Sequence, residues 1–332
     1  MRTLAIVSLA LLSTTPVLAG APELYEQVTS VNWVVKDIDQ VAAGWARLGY
    51  PLLQDFGEVT LPLRYRGEPR TAVVRVAQAS FAGLPVIWIQ PVSGKSAWAD
   101  ALEARGEGVV SVNYSVASGE ALDAEVARLE GLGVGVLQTL EVDAGEGPLR
   151  VAYMDTTGEG KYVLGLTSGQ LPRPPKTAPV STFGPRLSQY AVVVKDLGAV
   201  SAYWEKLGFP AMDVTHPTLT DLQYHGQAGA FDQKLGWHRH GTVTWEWITP
   251  LAGPTVYQDF LDTCGEGFHH LAFDVPDMDV ATAAWAAEGF PIVQSGGWGE
   301  KGQPGSGRFA YADTTSIGGT TIELLWSHPG ED

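Results

Sequence analysis

The sequence predicts an α+β fold of two tandem domains, each built from two modules of strand, helix and about three further strands. Two nested repeats and a helix-spaced apolar pattern predict it. The longer repeat has an offset of 159 residues: Trp45 recurs as Trp204, and Gly106–Gly108 recur as Gly265–Gly267. Landmarks that keep one register over this distance indicate a duplicated domain.

A shorter repeat of 81 residues lies inside the C-terminal copy, where Trp204 and Gly208 reappear as Trp285 and Gly289. Each domain is therefore predicted to be a pair of modules. Apolar side chains recur at helical spacing over Val200–Leu207, and a glycine placed directly after them, such as Gly208, ends a helix. The four βαβββ modules should form two mixed sheets.

The composition excludes nucleic acid as a partner and excludes an internal disulfide. The chain has 332 residues, with 37 acidic against 21 basic side chains and a net charge of −16. Such a charge repels the phosphates of nucleic acid, so no nucleic-acid partner is expected. Cys264 is the only cysteine, so an internal disulfide is excluded.

The first residues have the pattern of a cleavable signal peptide. Arg2 precedes the apolar run Leu4–Leu12, and the small residue Ala19 stands before Gly20. We therefore predict a signal peptide at 1–19, a periplasmic or secreted protein, and no membrane association after cleavage. The predicted domains are 26–168 and 187–328, joined by a proline-rich linker at 169–186.

Two stretches of the C-terminal copy, Gly265–Val275 and Gly318–Leu325, resemble the opening and closing strands of a module in the vicinal oxygen chelate superfamily. The resemblance is greatest to the glyoxalase I and methylmalonyl-CoA epimerase branches. It implies that paired modules form curved mixed sheets around a cleft. It also implies that each module supplies one metal ligand from its first strand and one from its last.

The repeat within the C-terminal copy predicts which residues those ligands are. The residue 81 positions before His270 is Gln189, and the strand around Glu246 matches the strand around Glu323. We therefore predict a site of Gln189, Glu246, His270 and Glu323 for one divalent ion, either Zn, Ni, Co, Mn or Fe(II). The equivalent positions of the first copy cannot bind a metal, because they hold Ser30, Ile87, Ser111 and Gly165.

Structural interpretations of the same residues stay open at this point. His269 and His270 can be ordinary strand residues, and Glu323 can be a rim carboxylate that pairs with Arg308 or Lys301. Strand alternation predicts that His269 points away from His270. Three further residues are predicted to contact substrate: His238, His240 and Trp247.

The predicted function is a metal-dependent isomerase, epimerase or lyase of the glyoxalase type. Glu323, with Glu246 as the alternative, would be the general base for a small, oxygen-bearing and aromatic substrate. One alternative is a metal-free binding protein like the bleomycin-resistance proteins. Another is an extradiol-type dioxygenase, although Gln189 stands where such an enzyme has its first histidine. The sequence does not decide between a monomer and a homodimer.

Overall fold

The structure, a computed structural model, describes residues 22–143, 147–171, 173 and 179–328. The predicted signal peptide at 1–19 lies outside these residues. None of the helices in the described ranges is long and apolar enough to span a membrane.

The N-terminal copy forms a closed barrel of eight strands in the order β1-β4-β3-β2-β6-β7-β8-β5. The first and last strands of each module run parallel, and the two modules meet through the antiparallel pair β1 and β5. The strands are β1 (Ser30–Val34), β2 (Gln54–Tyr65), β3 (Glu68–Phe81), β4 (Leu84–Ser93), β5 (Gly108–Val116), β6 (Val136–Asp143), β7 (Pro148–Met154) and β8 (Val163–Ser168), and the helices are α1 (Ile38–Arg47), α2 (Ala97–Arg105) and α3 (Gly119–Gly131).

The C-terminal copy repeats this plan in an open sheet of ten strands, ordered β10-β13-β14-β9-β15-β18-β17-β16-β11-β12. Two curved mixed sheets with six helices in the described residues confirm the predicted α+β fold. The strands are β9 (Arg186–Val193), β10 (Asp213–Thr215), β11 (Leu219–Tyr224), β12 (Gln227–Ala228), β13 (Asp232–His240), β14 (Val243–Ala252), β15 (Gly267–Asp274), β16 (Ile292–Trp298), β17 (Gly307–Ala312) and β18 (Thr321–Ser327), and the helices are α4 (Leu197–Lys206), α5 (Val256–Cys264) and α6 (Met278–Ala287).

Each of the four modules has a helix directly after its first strand, namely α1, α3, α4 and α6, and an aspartate caps three of these helices. The carboxylates of Asp37, Asp196 and Asp277 accept hydrogen bonds from backbone N–H groups in the first turns of α1, α4 and α6. These N–H groups have no partner within the helix, so the caps stabilise the strand-to-helix turn. Gly208 follows the end of α4 with a φ of +99°, as the sequence predicts for a terminating glycine.

The two sheets differ in the strand that closes them. In the N-terminal barrel, β2 is continuous, pairs with β3 and also reaches β6. In the C-terminal sheet the corresponding stretch is interrupted at residues 216–218, which include Pro217, and a proline cannot donate to a sheet ladder. As a result β10 pairs with β13, whereas β11 pairs with β12 and β16. The wall is therefore open between β10 and β11.

One hydrophobic core joins the two copies. The indole N–H groups of Trp33 and Trp45, in the first copy, donate to the carbonyls of Gly318 and Ile317, in the second. Tyr162 stacks on Trp245, with ring centroids 4.6 Å apart. Contacts of this kind fix the orientation of one copy against the other.

The described part of the proline-rich segment packs against α1 and α6. The Ser181 hydroxyl donates to the Leu48 carbonyl, and the Gly184 carbonyl accepts a hydrogen bond from Tyr50. The indole of Trp285 donates to the carbonyl of Phe183. Residues 181–184 therefore belong to the packed body of the protein.

Candidate metal centre

Three buried side chains meet inside the C-terminal sheet, two from the neighbouring strands β15 and β18 and one from β14, which β9 separates from β15. Glu246 lies on β14, His270 on β15 and Glu323 on β18, and one potential ligand atom of each lies within 4.8 Å of the other two. The Nε2 atom of His270 is 3.2 Å from Oε2 of Glu323 and 3.5 Å from Oε2 of Glu246. Two carboxylates and an imidazole are a ligand set typical of divalent metal ions.

A β-bulge orients His270. The register of β15 against β9 shifts between Phe268 and His270, so that His269 is the extra residue. The prediction that His269 points away from His270 is therefore wrong, because the bulge breaks the alternation on which it rests. The Nδ1 atoms of the two rings are 2.7 Å apart. The first copy has the same kind of register shift, between Asn32 and Trp33 on β1.

The contact between the two histidines leaves a metal-binding nitrogen free. Burial, together with the charge of His270, lowers the pKa of His269 well below its usual value, and a hydrogen bond with the backbone of Val256 acts only weakly in the opposite direction. His269 is therefore neutral, and its Nδ1 can accept the proton carried by Nδ1 of His270. This tautomer of His270 directs the lone pair of Nε2 towards the two carboxylates.

Two tyrosines hold Glu323 on its other side. The hydroxyl of Tyr257 donates to that of Tyr311 at 2.6 Å, and Tyr311 donates to Oε1 of Glu323 at 2.6 Å. Neither tyrosine was predicted from the sequence. The repeat carries a signal for one of them, since Tyr311 recurs from Tyr153 with an offset of 158.

Gln189 lines the same cavity as Glu246 and Glu323. On β9 it lies opposite Ala272, which in turn lies opposite Glu323 on β18. Oε1 of Gln189 and Oε2 of Glu246 are both buried without a hydrogen-bond partner. Buried polar atoms without partners are costly, and coordination of a cation would satisfy both. The residues present therefore fit a bound metal ion.

Electrostatic coupling within the group is strong. Burial, together with the charge of Glu323, raises the pKa of Glu246 to about 7. Burial also opposes protonation of His270, but the two neighbouring carboxylates, Glu246 and Glu323, outweigh it and raise the pKa of His270 to about 9. Without a metal the imidazole is therefore protonated and compensates the buried carboxylates.

The cavity that Glu246 and Glu323 line has a volume of about 350 Å³. It lies beside the open wall, because Thr215, Pro217 and Leu219 line it. Its remaining lining residues are Ser188, Gln189, Gln233, Leu235, Trp237, Glu246, Tyr257, Asp274, Trp298, Phe309, Tyr311, Glu323, Leu325 and Ser327.

The three predicted substrate contacts do not line this cavity. His238 is opposite Trp245 on β14, whereas Trp237 is opposite Glu246, so the two faces of β13 are the reverse of the expectation. His238 packs against Trp247, which is fully buried in the core that the two copies share. His240 packs against Phe209. The prediction for His238, His240 and Trp247 is corrected because strand alternation turns them away from Glu246.

The rim interpretation of Glu323 also fails. Glu323 is buried, whereas Arg308 pairs with Asp279 and Lys301 with Asp221 at the surface.

The equivalent place in the N-terminal barrel holds a hydrogen-bonded polar network. The Asn113 amide donates to the Ser30 hydroxyl at 3.1 Å and to the Asn32 side-chain oxygen at 3.0 Å, and Ser111 donates to Asn113 at 3.1 Å. Asn32 in turn donates to the hydroxyl of Tyr153. Ile87 occupies the position of Glu246. This place offers no carboxylate or imidazole to a metal.

Comparisons with known proteins agree with this architecture. Residues 188–311 match the model of the glyoxalase/bleomycin resistance protein/dioxygenase superfamily. No curated protein matches the chain.

Solved structures extend the likeness over both copies. A 4-hydroxymandelate synthase variant from Streptomyces coelicolor is 15% identical, with a TM-score of 0.59 over 92% of this chain and 94% of that one. A Mn(II)-bound glyoxalase from Novosphingobium aromaticivorans is 16% identical, with a TM-score of 0.50 over 92% and 84%. A halotolerant catechol dioxygenase is 12% identical, with a TM-score of 0.50 over 92% and 89%. At these identities the structures demonstrate a shared fold, and the match at 188–311 places the C-terminal copy in the glyoxalase/bleomycin resistance protein/dioxygenase family, the vicinal oxygen chelate superfamily.

Proposed function

We propose that the protein is a metal-dependent isomerase, epimerase or lyase of the glyoxalase type. The observation that carries this proposal is the buried group of Glu246, His270 and Glu323, whose ligand atoms lie within 4.8 Å of one another and whose two carboxylates line a cavity. Gln189 is the fourth ligand in this proposal, through its unpartnered amide oxygen.

The ligand types favour this reaction class over oxygen activation. Fe(II) dioxygenases that activate oxygen at a mononuclear site typically use two histidines and one carboxylate. This group has one histidine and two carboxylates. A divalent ion held there would act as a Lewis acid that stabilises negative charge on a substrate oxygen.

Glu246 is the better candidate for the general base. Oε1 of Glu323 already accepts a hydrogen bond from the hydroxyl of Tyr311, which holds this carboxylate in place. Oε2 of Glu246 has no hydrogen-bond partner. Glu246 would accept a proton from the carbon next to the substrate carbonyl and return it to the same carbon in epimerisation, or to the neighbouring carbon in isomerisation.

The experiment uses protein loaded with Mn²⁺, Ni²⁺ or Zn²⁺ and a panel of aryl hydroxy-ketones and oxo-acids in D₂O. Proton NMR would follow the exchange of hydrogen for deuterium next to the carbonyl. We expect exchange with the native protein, loss of exchange in Glu246→Gln, and retained metal in both. Full exchange in Glu246→Gln would indicate that Glu323, and not Glu246, is the general base. A protein that takes up none of these ions, but still binds small molecules, would instead be a binding protein.

Two further parts of the proposal concern organisation and location. We propose domains at 26–168 and 187–328, of which only the second binds metal, and a mature protein that is periplasmic or secreted and begins at Gly20. Amino-terminal sequencing of the exported protein tests the second part. A mature chain that still begins at Met1 would contradict it.

A further inference from the structure

The cavity above the metal centre contains acidic groups but lacks basic ones. Among the described residues that line it there are three carboxylates, Glu246, Asp274 and Glu323, and neither a lysine nor an arginine. Arg186 lies 2.6 Å from Asp274, but its side chain is 76% exposed and does not line the cavity. No cationic side chain in this cavity is therefore available to bind an anionic group of a ligand.

The charges of the loaded site already balance. A divalent ion compensates Glu246 and Glu323, and Arg186 compensates Asp274. A ligand that carried a carboxylate or phosphate would lose hydration on entering and gain no charged partner besides the metal. Burying a charge without a partner is strongly unfavourable. The net charge of −16 on the whole chain also disfavours the approach of anions.

The wall of the cavity is apolar and partly aromatic. Trp237 and Trp298 are half-buried at its sides, and Phe309 is buried. A volume of about 350 Å³ is near the lower end of the range of small-molecule pockets. A single ring with short substituents suits a cavity of this size and lining.

We propose that the substrate is a small, uncharged aromatic compound, and that the site rejects analogues that carry a carboxylate or a phosphate. This inference rests on the proposed function and names the substrate class for the same metal site. The polar end of the compound faces the metal, and the ring lies against Trp237, Trp298 and Phe309.

A pair of probe ligands tests the charge selectivity directly. 4-Methylcatechol and 3,4-dihydroxybenzoate share the ring and the adjacent hydroxyls, and differ in a methyl against a carboxylate. Isothermal titration of each into the Mn²⁺-loaded protein, after removal of free metal, gives the two dissociation constants. We expect 4-methylcatechol to bind at least about 10-fold more tightly. Equal binding, tighter binding of the benzoate, or no binding of 4-methylcatechol up to millimolar concentration would overturn the inference.

A variant supplies the missing charge. Ser327 lines the cavity and is exposed at the end of β18, so Ser327→Arg adds a cation at the rim. The variant should strengthen binding of 3,4-dihydroxybenzoate and leave that of 4-methylcatechol nearly unchanged. The control is Ser93→Arg, which makes the same charge change at an exposed position on β4. An equal effect in both variants would show that overall charge, and not the cavity, controls selectivity, and would contradict the inference.

Failure of the inference and failure of the proposed function are distinguishable. A titration with Mn²⁺ alone comes first, and absence of metal binding there contradicts the proposed function. Metal binding followed by a lack of charge selectivity contradicts only the assignment of the substrate class.

Discussion

The two sheets of this protein carry a large side chain opposite a small one at equivalent positions of a strand pair. The strand that carries the large side chain differs between the two sheets. In the N-terminal barrel Asn113 lies opposite Gly165, and in the C-terminal sheet Ala272 lies opposite Glu323. A Cβ atom on Gly165 would lie only 1.8 Å from Oδ1 of Asn113. One strand pair therefore has room for only one large polar side chain, and the two copies place it on different strands.

A second pair of positions follows the same rule. Asn32 lies opposite Ser111 in the first copy, whereas Ala191 lies opposite His270 in the second. The first arrangement closes into a network in which the amides and hydroxyls satisfy one another. The second leaves ligand atoms without partners next to an open cavity. The same fold can therefore hold either a polar core whose groups satisfy one another's hydrogen bonds or a metal site. Which of the two forms depends on the strand that carries the large side chain.

Metal affinity should change most when His270 in the second sheet is replaced by serine, the residue found at the equivalent position 111 of the first sheet. His270→Ser should weaken binding of Mn²⁺ or Zn²⁺ by more than about 100-fold, because it removes the imidazole ligand and leaves the two carboxylates and the amide oxygen of Gln189. Isothermal titration measures the loss. Ser111→Ala is the matched control in the N-terminal barrel. A comparable loss in this control would break the assignment of the site to the second copy.

The polar network of the first copy should matter for stability alone. Asn113→Ala removes the partner of Ser30, Asn32 and Ser111, and each buried polar group left unsatisfied costs about 1–3 kcal/mol. Urea unfolding should report this loss, while metal affinity stays unchanged.

A double variant sharpens this test. Gly165→Ala alone should destabilise the protein, because the new methyl group meets Asn113. In the presence of Asn113→Ala the same change should cost less, since the clash is gone. Strictly additive effects on the free energy of unfolding would show that the two positions do not compete for volume.

The histidine pair provides a smaller effect, specific to the second copy. His269→Leu should weaken metal binding about 10- to 100-fold, because His270 loses the acceptor that orients its ring. His269→Gln should retain more affinity, since its amide oxygen can accept the same proton. Nitrogen-detected NMR of the His270 ring provides a second readout, namely the proton on Nδ1. Equal affinities for the two variants would contradict a positioning role.

The smallest predicted effect is an acid sensitivity of the second copy. Burial lowers the pKa of His238 to about 4, whereas an unfolded histidine titrates near its usual value of about 6.5. Between these values the unfolded chain binds more protons than the folded one. The folded state therefore loses stability as the pH falls through this window. The first copy has Ala79 at the equivalent position and lacks this group.

Substitution of the buried histidine measures the effect. From pH 6.5 to pH 5.5 the native protein should lose about 1 kcal/mol more stability than His238→Gln. The control is His225→Gln, at an exposed histidine. Parallel pH profiles for the native protein and His238→Gln would contradict the buried, neutral state of His238.

The fold and the three clustered ligand candidates were accessible from sequence because they follow from repetition. An offset of 81 residues relates His270 to Gln189, and the matching of terminal strands relates Glu246 to Glu323. Equivalent residues of two repeats occupy the same position on a strand and face the same direction. The ligand candidates can therefore be predicted without knowledge of tertiary contacts.

Features that break the regular pattern were not accessible. The bulge at His269 reverses the facing of one residue, and no residue type in that stretch demands it. The faces of β13 were assigned wrongly for His238, since alternation has two phases and the sequence alone does not select one. The contact of Tyr257 with Tyr311 joins α5 to β17, and only the packed structure brings them together.

A metal ion is expected to bind in the second copy and not in the first. The most direct measurement is anomalous X-ray diffraction from crystals of the Mn²⁺-loaded protein, which locates the ion without reference to activity. We predict one peak between Glu246, His270 and Glu323, and no peak among Ser30, Ile87 and Ser111. A peak in the N-terminal barrel, or no peak at the three C-terminal side chains, would show that the metal site is assigned wrongly.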